Sequence, residues 1–299
     1  MFFTTILLFP THYFAQINNV KSTVKCQEKA DSLYDLSNDL QGADNVKCLF
    51  IAQELYKLSK ECNTIEITYK AYDAFCWAYL YNSNFPEAIR YGDKALDLSL
   101  QLNDTFKIIN SYNVLGNIYL ELPDKDFALS NFTKGIDLSI KIGDEELTSN
   151  FYNNIAIAYE LFDDLETSLI FYKKAKAYYE KMDIDSDKAL IYLNIGDLFV
   201  QTNQLDSASY YLSKSRSLIN KEEDEYLLLV LYLSKASEQS KNKNYSNALL
   251  YLDSCYQQII SGGTPYDFLT YSKLRSEILF ESSNYKDAYH YLLDAYKLK

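Results

Sequence analysis

The chain contains few of the residues that interrupt helices. It has 8 glycines and 4 prolines among 299 residues, and these two residue types are the strongest local breaks in regular secondary structure. Apolar residues make up 48% of the sequence, so the chain carries enough hydrophobic surface to offset the entropy lost on folding. The composition predicts an ordered, almost entirely helical protein.

The chain also lacks the residue patterns that most catalytic and metal sites use. His12 and His290 are its two histidines, and no two cysteines form a CxxC pair, so nothing supports a histidine-based triad or a zinc site. Gly262 and Gly263 read as an isolated turn rather than a phosphate-binding loop. We therefore expect no enzymatic activity, no cofactor and no bound metal.

Positive charge is scarce as well. The sequence has 41 acidic against 29 basic residues, a net charge of −12. The basic patch that nucleic-acid binding requires is missing, so we expect no nucleic-acid partner. The negative charge is interpreted as a solvated surface; a preference for basic partners is the alternative interpretation.

A largely apolar run occurs at the amino terminus. Residues 1–15 contain such a run followed by the small residue Ala15, which resembles a secretory signal peptide cleaved after Ala15. We therefore expect an exported protein, periplasmic or associated with the cell envelope. No Lys or Arg precedes the run, so a leader on a cytoplasmic protein is the alternative. No later segment approaches 18 apolar residues, so no membrane span is expected in the body of the chain.

A small residue recurs every 40 positions along the chain. The recurring residues are Cys48, Ala88, Ala128, Ser168, Ala208, Ala248 and Ala288. A fixed period of 20–50 residues is the signature of a repeat architecture. If this residue is numbered position 20 of each repeat, the repeats begin at residues 29, 69, 109, 149, 189, 229 and 269, and residues 16–28 form a lead-in.

Each repeat contains two segments with helical periodicity. Positions 4, 8 and 11 share one face of a first helix, helix A, and positions 20, 24 and 27 share one face of a second, helix B. Small residues dominate positions 8, 20 and 27, where they let helices approach closely. Asn or Asp at position 16 marks a turn between the helices. Each repeat is therefore predicted to be a helix–turn–helix hairpin.

Three of the five cysteines occupy the small positions of this pattern, namely Cys48, Cys76 and Cys255. Cysteine behaves there as a small hydrophobic residue. An odd number of cysteines does not describe a disulfide framework. We therefore expect the cysteines to serve packing rather than redox chemistry.

This pattern resembles the tetratricopeptide repeat over residues 29–299. Repeat 3 matches the family positions best, with Tyr112, Leu115, Gly116, Tyr119, Ala128, Phe132 and Gly135. Repeat 1 matches poorly, with Leu36 at position 8 and Asp35 and Asp39 at positions that are normally buried. The period of 40 resembles the longer-unit subgroup of kinesin light chains and bacterial peptide-pheromone receptors. The resemblance implies an all-α fold, a right-handed superhelical solenoid of seven hairpins.

The resemblance also implies a binding surface, because helix A lines the concave face of tetratricopeptide proteins at positions 2, 5, 9, 12 and 13. Carried over by position, the candidate residues are Asp73, Trp77, Tyr81, Asn110, Asn113, Asn117, Glu121, Asn150, Asn153 and Asp197. An Asn amide both donates and accepts, so the five asparagines can pair with the backbone of an extended peptide. Trp77 and Tyr81 can hold an anchor side chain. The alternative is that Asn in these helices braces neighbouring helices, as at Asn154 and Asn194 of position 6.

Together these features predict a non-catalytic scaffold whose partner is a protein or peptide. An exported leader followed by such repeats resembles the sensory region of bacterial envelope regulators, which implies a role in signalling or transcriptional control. The alternative is a free-standing structural adaptor that assembles through the ends of its solenoid. The oligomeric state stays open.

Overall fold

The computed structural model describes residues 11–42, 44–182, 184–220 and 224–297, with side chains from Val24 onward except at residue 265. Residues 1–10 of the predicted leader lie outside this range, so its cleavage stays a prediction. Over the described residues the fold consists of fourteen α-helices and no strand. Among these helices, none has both the length and the hydropathy that a membrane span requires.

The helices are 13 to 29 residues long. Their bounds are α1 (Thr11–Asp39), α2 (Asn45–Cys62), α3 (Ile65–Tyr81), α4 (Phe85–Leu102), α5 (Thr105–Glu121), α6 (Lys125–Ile142), α7 (Glu145–Leu161), α8 (Leu165–Tyr179), α9 (Asp185–Gln201), α10 (Leu205–Leu218), α11 (Glu225–Lys241), α12 (Tyr245–Gly262), α13 (Pro265–Glu281) and α14 (Tyr285–Lys297). Odd-numbered helices correspond to helix A of the repeats and even-numbered helices to helix B.

Two compact units make up the chain, Met1–Asn131 and Phe132–Lys299. In the first unit α1 packs on α2, α3 packs on α4, and α5 contacts the start of α6. In the second unit the pairs are α7 with α8, α9 with α10, α11 with α12, and α13 with α14. These pairs confirm the predicted all-α repeat of seven helix–turn–helix hairpins.

The turn inside the hairpins repeats the same backbone bonding. In repeat 2 the amide of Asn84, at position 16, donates to the carbonyl of Tyr79 at 2.9 Å. The preceding Ser83 has a positive φ of 55°, which reverses the chain direction. Position 16 is also the N-cap of helix B, and at Asp164 the side chain accepts from the amide of Thr167. The predicted turn at position 16 is confirmed.

The residues at positions 20 and 27 are buried in every repeat. All of them except Leu55 of repeat 1 are small, and Gly135, at position 27 of repeat 3, shows one reason. A Cβ added to Gly135 would lie 2.2 Å from Cζ of Phe151 on the next helix. Helix B thus touches the following helix A through a gap that admits no larger side chain there.

Repeat 1 differs from the sequence alignment by one residue. Leu36, aligned to position 8, is 39% exposed, whereas Ser37 is 1% exposed. The thiol of Cys48 donates to the carbonyl of Ser37, eleven residues away, and the thiol of Cys76 donates to the carbonyl of Ala88, twelve residues away. The spacing differs because α1 ends two residues after Ser37 and a longer turn leads into α2. Ser37 therefore occupies position 8, and the alignment of repeat 1 is corrected.

Two of the cysteines are bonded to each other. Cys26 on α1 and Cys62 at the end of α2 form a disulfide, whereas Cys48, Cys76 and Cys255 are buried free thiols. The packing role is confirmed for the three free thiols and is wrong for the bonded pair. The repeat pattern did not predict this disulfide, because Cys26 lies in the lead-in and Cys62 lies outside the small positions.

Candidate peptide-binding surface

The ten candidate binding residues lie on four odd-numbered helices. Helix α3 carries Asp73, Trp77 and Tyr81, α5 carries Asn110, Asn113, Asn117 and Glu121, α7 carries Asn150 and Asn153, and α9 carries Asp197. Those on α3 and α5 belong to the first unit and the others to the second. Each set is described within its own unit.

Asp73 is a bracing residue in the first unit rather than part of an open surface. Its side chain is 1% exposed. The carboxylate accepts from the hydroxyl of Tyr34 at 2.5 Å and from the side-chain amide of Asn110 at 2.9 Å. These bonds join α1, α3 and α5. The expectation that Asp73 faces a ligand is therefore corrected, and Asn110 shares its structural role.

Burial controls the protonation of this cluster. It raises the pKa of Asp73 from 3.8 to about 6, although the hydrogen bonds from Tyr34 and Asn110 lower it. A carboxylate removed from water is destabilised in its charged form. Burial and the nearby Asp73 carboxylate raise the pKa of Tyr34 well above its usual 10. The Tyr34 hydroxyl thus stays a hydrogen-bond donor.

A second pair between α1 and α3 was missed in the sequence. Lys70 forms a salt bridge with Asp31 on α1, and its ammonium group lies 5.1 Å from the ring centroid of Tyr34. The hydrogen bond from Lys70 lowers the pKa of Asp31. Asp31 and Tyr34 were overlooked because the one-residue shift of repeat 1 moved them away from positions 2 and 5. The sequence did contain a signal for these contacts. Asp31 precedes Lys70 by 39 residues, and Tyr34 precedes Asp73 by the same number.

Trp77 and Tyr81 form a stacked aromatic pair one turn apart on α3. Their ring centroids are 5.9 Å apart and the ring planes meet at 22°. Trp77 is partly buried against the core cluster that includes Val114 and Ile118 of α5. Tyr81 is 45% exposed. The pair therefore presents partly exposed aromatic surface that the core holds in place.

Helix α5 carries three further candidate residues with polar side chains. Asn113 and Asn117 are half-buried, and Glu121 is exposed at the end of the helix. Ile118 belongs to the core cluster against which Trp77 packs. Glu121 follows Ile118 by one helical turn, and Tyr81 follows Trp77 by one turn. Burial raises the pKa of Tyr81, and the charge of the Glu121 carboxylate raises it further.

In the second unit the candidate asparagines bond to their own neighbours. Asn153 is buried and accepts from the side-chain amide of Asn194 on α9 at 2.9 Å. Asn150 is exposed and accepts from the hydroxyl of Tyr179 on α8. Asn153 and Asn194 therefore serve as a brace between successive A helices. The bracing interpretation holds for Asn194, and the expectation that Asn153 faces a ligand is corrected.

Asp197 takes part in a similar network. Its carboxylate accepts from the hydroxyl of Ser234 on α11 at 2.9 Å and from the amide of Gln201 at 3.2 Å. Gln201 also donates to Glu160 on α7. Burial raises the pKa of Glu160, against the effect of its hydrogen bonds. Side-chain bonds between successive A helices are thus a general feature of the second unit.

The described side chains do not assemble a metal site. Among them, no group of three or more His, Cys, Asp and Glu residues is placed to hold an ion. His290, the histidine with a described side chain, is exposed on α14.

No protein-family model and no curated protein matches the sequence. Solved structures do match. Aspartyl phosphate phosphatase F from Bacillus subtilis has a TM-score of 0.71 at 14% identity, over 95% of this chain and 73% of that protein. A Rap protein complexed with competence and sporulation factor has a TM-score of 0.68 at 13% identity, over 89% and 73%. A tetratricopeptide repeat protein from Parabacteroides merdae has a TM-score of 0.59 at 15% identity, over 91% and 93%.

At these identities the likeness concerns the fold, and the activities in those names belong to those proteins. The neighbours are helical repeat proteins of the same kind. The seven hairpins and the turn that recurs every 40 residues lead to the same assignment. The chain has a tetratricopeptide-type helical repeat fold.

Proposed function

We propose that the chain is a non-catalytic scaffold that binds an extended peptide or protein segment. One observation carries the proposal, which is the surface formed by Trp77, Tyr81, Asn113, Asn117 and Glu121 in the first unit. We call these five residues the α3–α5 surface. It combines an aromatic pair fixed by the core with amides that both donate and accept. Anchored aromatics of this kind dominate binding energy at protein interfaces.

The comparisons support this proposal through the fold. One neighbour was solved in complex with competence and sporulation factor, and another is named a quorum sensor. A repeat fold of this type offers a long surface on its A helices, and function in such folds usually lies in binding rather than chemistry. Asp73 and Asn110 join helices of the first unit, and the α3–α5 surface lies on two of these helices.

A peptide selection tests this function. The purified protein is used to select from a display library of random linear peptides, and the affinity of a selected peptide is measured by calorimetry. Replacing the half-exposed ring in Tyr81→Ala should weaken binding at least tenfold, the range of a modest hot spot. Tyr210→Ala on α10 removes a ring that is similarly exposed and serves as the control. If no peptide is selected, or if both variants bind alike, the proposed function is wrong.

We further propose that the protein is exported and forms the sensory region of a bacterial signalling or transcriptional regulator. Residues 1–15 support export, and so does the disulfide between Cys26 and Cys62, because disulfides persist in oxidising compartments and are rare in the cytosol. Expression of the full chain in a bacterium, followed by cell fractionation and amino-terminal sequencing, tests this. A periplasmic product starting at Gln16 is expected. A full-length cytosolic product would favour the cytoplasmic alternative.

The carboxyl-terminal hairpin favours a second candidate function, a structural adaptor that assembles through its ends. Leu292 on α14 is 55% exposed, whereas the equivalent Leu212 and Leu252 are 0% exposed. Leu292 and Tyr296 line a cleft of about 340 Å³ against α13. Sedimentation at increasing protein concentration tests this candidate. Association that Leu292→Lys abolishes supports the adaptor, and a monomer at all concentrations contradicts it.

A further inference from the structure

We propose that the α3–α5 surface recognises a basic side chain, Lys or Arg, of the bound peptide, with the cation held over Tyr81 and Trp77 and paired with Glu121. This inference rests on the proposed peptide-binding function and specifies its ligand. The recognition chemistry is a cation–π contact combined with an exposed ion pair.

Helices α3 and α5 contact each other, and the aromatic pair and the carboxylate lie near the carboxyl ends of these two helices. Trp77 packs against the core cluster to which Val114 and Ile118 of α5 belong. Tyr81 lies one turn after Trp77, and Glu121 lies one turn after Ile118. Tyr81 is 45% exposed and Glu121 is exposed, so a ligand side chain can reach both from solvent.

The first unit fills two similar arrangements with its own lysines. Lys70 lies 5.1 Å from the ring centroid of Tyr34 and pairs with Asp31.

Lys107 repeats this combination one repeat later. Its ammonium group lies 5.7 Å from the ring centroid of Tyr69 and 3.0 Å from the carboxylate of Glu66. In both places one lysine ammonium group lies over a tyrosine ring and forms a salt bridge with a carboxylate. This chain therefore builds the combination of ring, carboxylate and cation more than once.

At Tyr81 and Glu121 the ring and the carboxylate are present without an internal cation. Within the part of the chain that the structure describes, no Lys or Arg pairs with Glu121 or lies over the Trp77 or Tyr81 ring. The carboxylate is thus available to a basic group from a ligand. The net charge of −12 adds a long-range attraction for basic segments.

The single tryptophan of the chain gives a direct readout, because Trp77 is the only residue of its type and lies in the α3–α5 surface. Peptides are selected as above, and the fluorescence of Trp77 is followed while a selected peptide and its analogue are added. The analogue carries norleucine in place of the basic residue. The basic peptide should bind about three- to tenfold more tightly than the analogue, and salt should reduce the difference.

Charge variants locate the effect. Glu121→Gln should remove most of the preference for the basic peptide, and Glu121→Lys should reverse it in favour of a peptide with glutamate at the same place. Glu61→Gln, an exposed carboxylate at the end of α2, is the matched control and should leave the preference unchanged.

The outcomes separate this inference from the function on which it rests. If selected peptides bind through Tyr81 but show no enrichment of Lys or Arg, or if Glu121→Gln binds basic and norleucine peptides with the wild-type ratio, the cation site is overturned while peptide binding stands. If no peptide is selected at all, the proposed function itself fails.

Discussion

Tyr34 on α1 donates a hydrogen bond of 2.5 Å to the buried carboxylate of Asp73 on α3. Asn110 on α5 donates to the same carboxylate, so one acidic side chain links three successive A helices of the first unit. This carboxylate is ionisable, and burying an uncharged group at the same place would cost less free energy. The consequence is a stability that depends on pH.

The first prediction concerns this pH dependence. The pKa of Asp73 is raised from 3.8 to about 6 in the folded state, so the folded protein binds the proton more tightly than the unfolded chain. The resulting stabilisation is complete below pH 3.8 and is lost as pH rises through about 6. A shift of this size corresponds to about 2–3 kcal/mol in the free energy of unfolding.

The measurement is the free energy of unfolding of the wild type and of Asp73→Asn between pH 4 and 7.5. Asn keeps a side-chain acceptor for Tyr34 or Asn110 but does not titrate, so the difference between the two proteins should change in favour of the variant as pH rises. Other acidic groups cancel in that difference. A difference that is constant across the range would show that folding does not raise the pKa of Asp73.

The fold of the chain could be predicted from sequence because its period is explicit. The small residues at position 20 identified the register from repeat 2 onward. Such small residues recur because close helix contacts, as at Gly135 of position 27, leave no room for a larger side chain. Repeat 1 could not be placed as well, because α1 ends early and the extra turn residues shift its register by one. For that reason the contacts of Tyr34 and Asp31 with α3 were not predicted.

The candidate site was predicted less completely. Position in the repeat identified which helix face Asp73, Trp77 and Asn153 occupy, but not whether a neighbouring helix already uses them. Asp73 and Asn153 are bonded to side chains about one repeat away, and such pairing depends on the offset between successive helices. The disulfide was not predicted for a similar reason, because Cys26 lies near Cys62 only when α1 and α2 fold back on each other.

The second prediction concerns the disulfide between Cys26 and Cys62, which closes a loop with a sequence separation of 36. Removing it with Cys26→Ser and Cys62→Ser together should destabilise the first hairpin by about 3–4 kcal/mol, the value expected for a loop of this length. Hydrogen exchange in α1 and α2 is the measurement, with and without reductant. Cys255→Ser, which changes a free thiol, should not alter exchange there. Equal protection in the double variant and the wild type would contradict the prediction.

The third prediction concerns Gly135. A Cβ at this position would lie 2.2 Å from the ring of Phe151, and that ring is almost fully buried. Gly135→Ala should therefore destabilise the second unit by about 1–3 kcal/mol through overpacking. Gly262→Ala is the matched control, because no atom lies within 4 Å of its added Cβ. The measurement is thermal unfolding of both variants, and similar melting temperatures would rule out a tight contact at Gly135.

The last prediction separates bracing from binding among the asparagines. Asn153 accepts a hydrogen bond from Asn194, so Asn153→Ala should cost about 1–2 kcal/mol of stability. Because both side chains serve one bond, the double variant Asn153→Ala, Asn194→Ala should cost less than the sum of the single variants. Asn117→Ala, in the α3–α5 surface, should change the free energy of unfolding by less than about 0.5 kcal/mol while weakening a selected peptide. Strictly additive costs would contradict the coupling of Asn153 with Asn194, and weaker peptide binding by Asn153→Ala at unchanged stability would contradict a purely bracing role for Asn153.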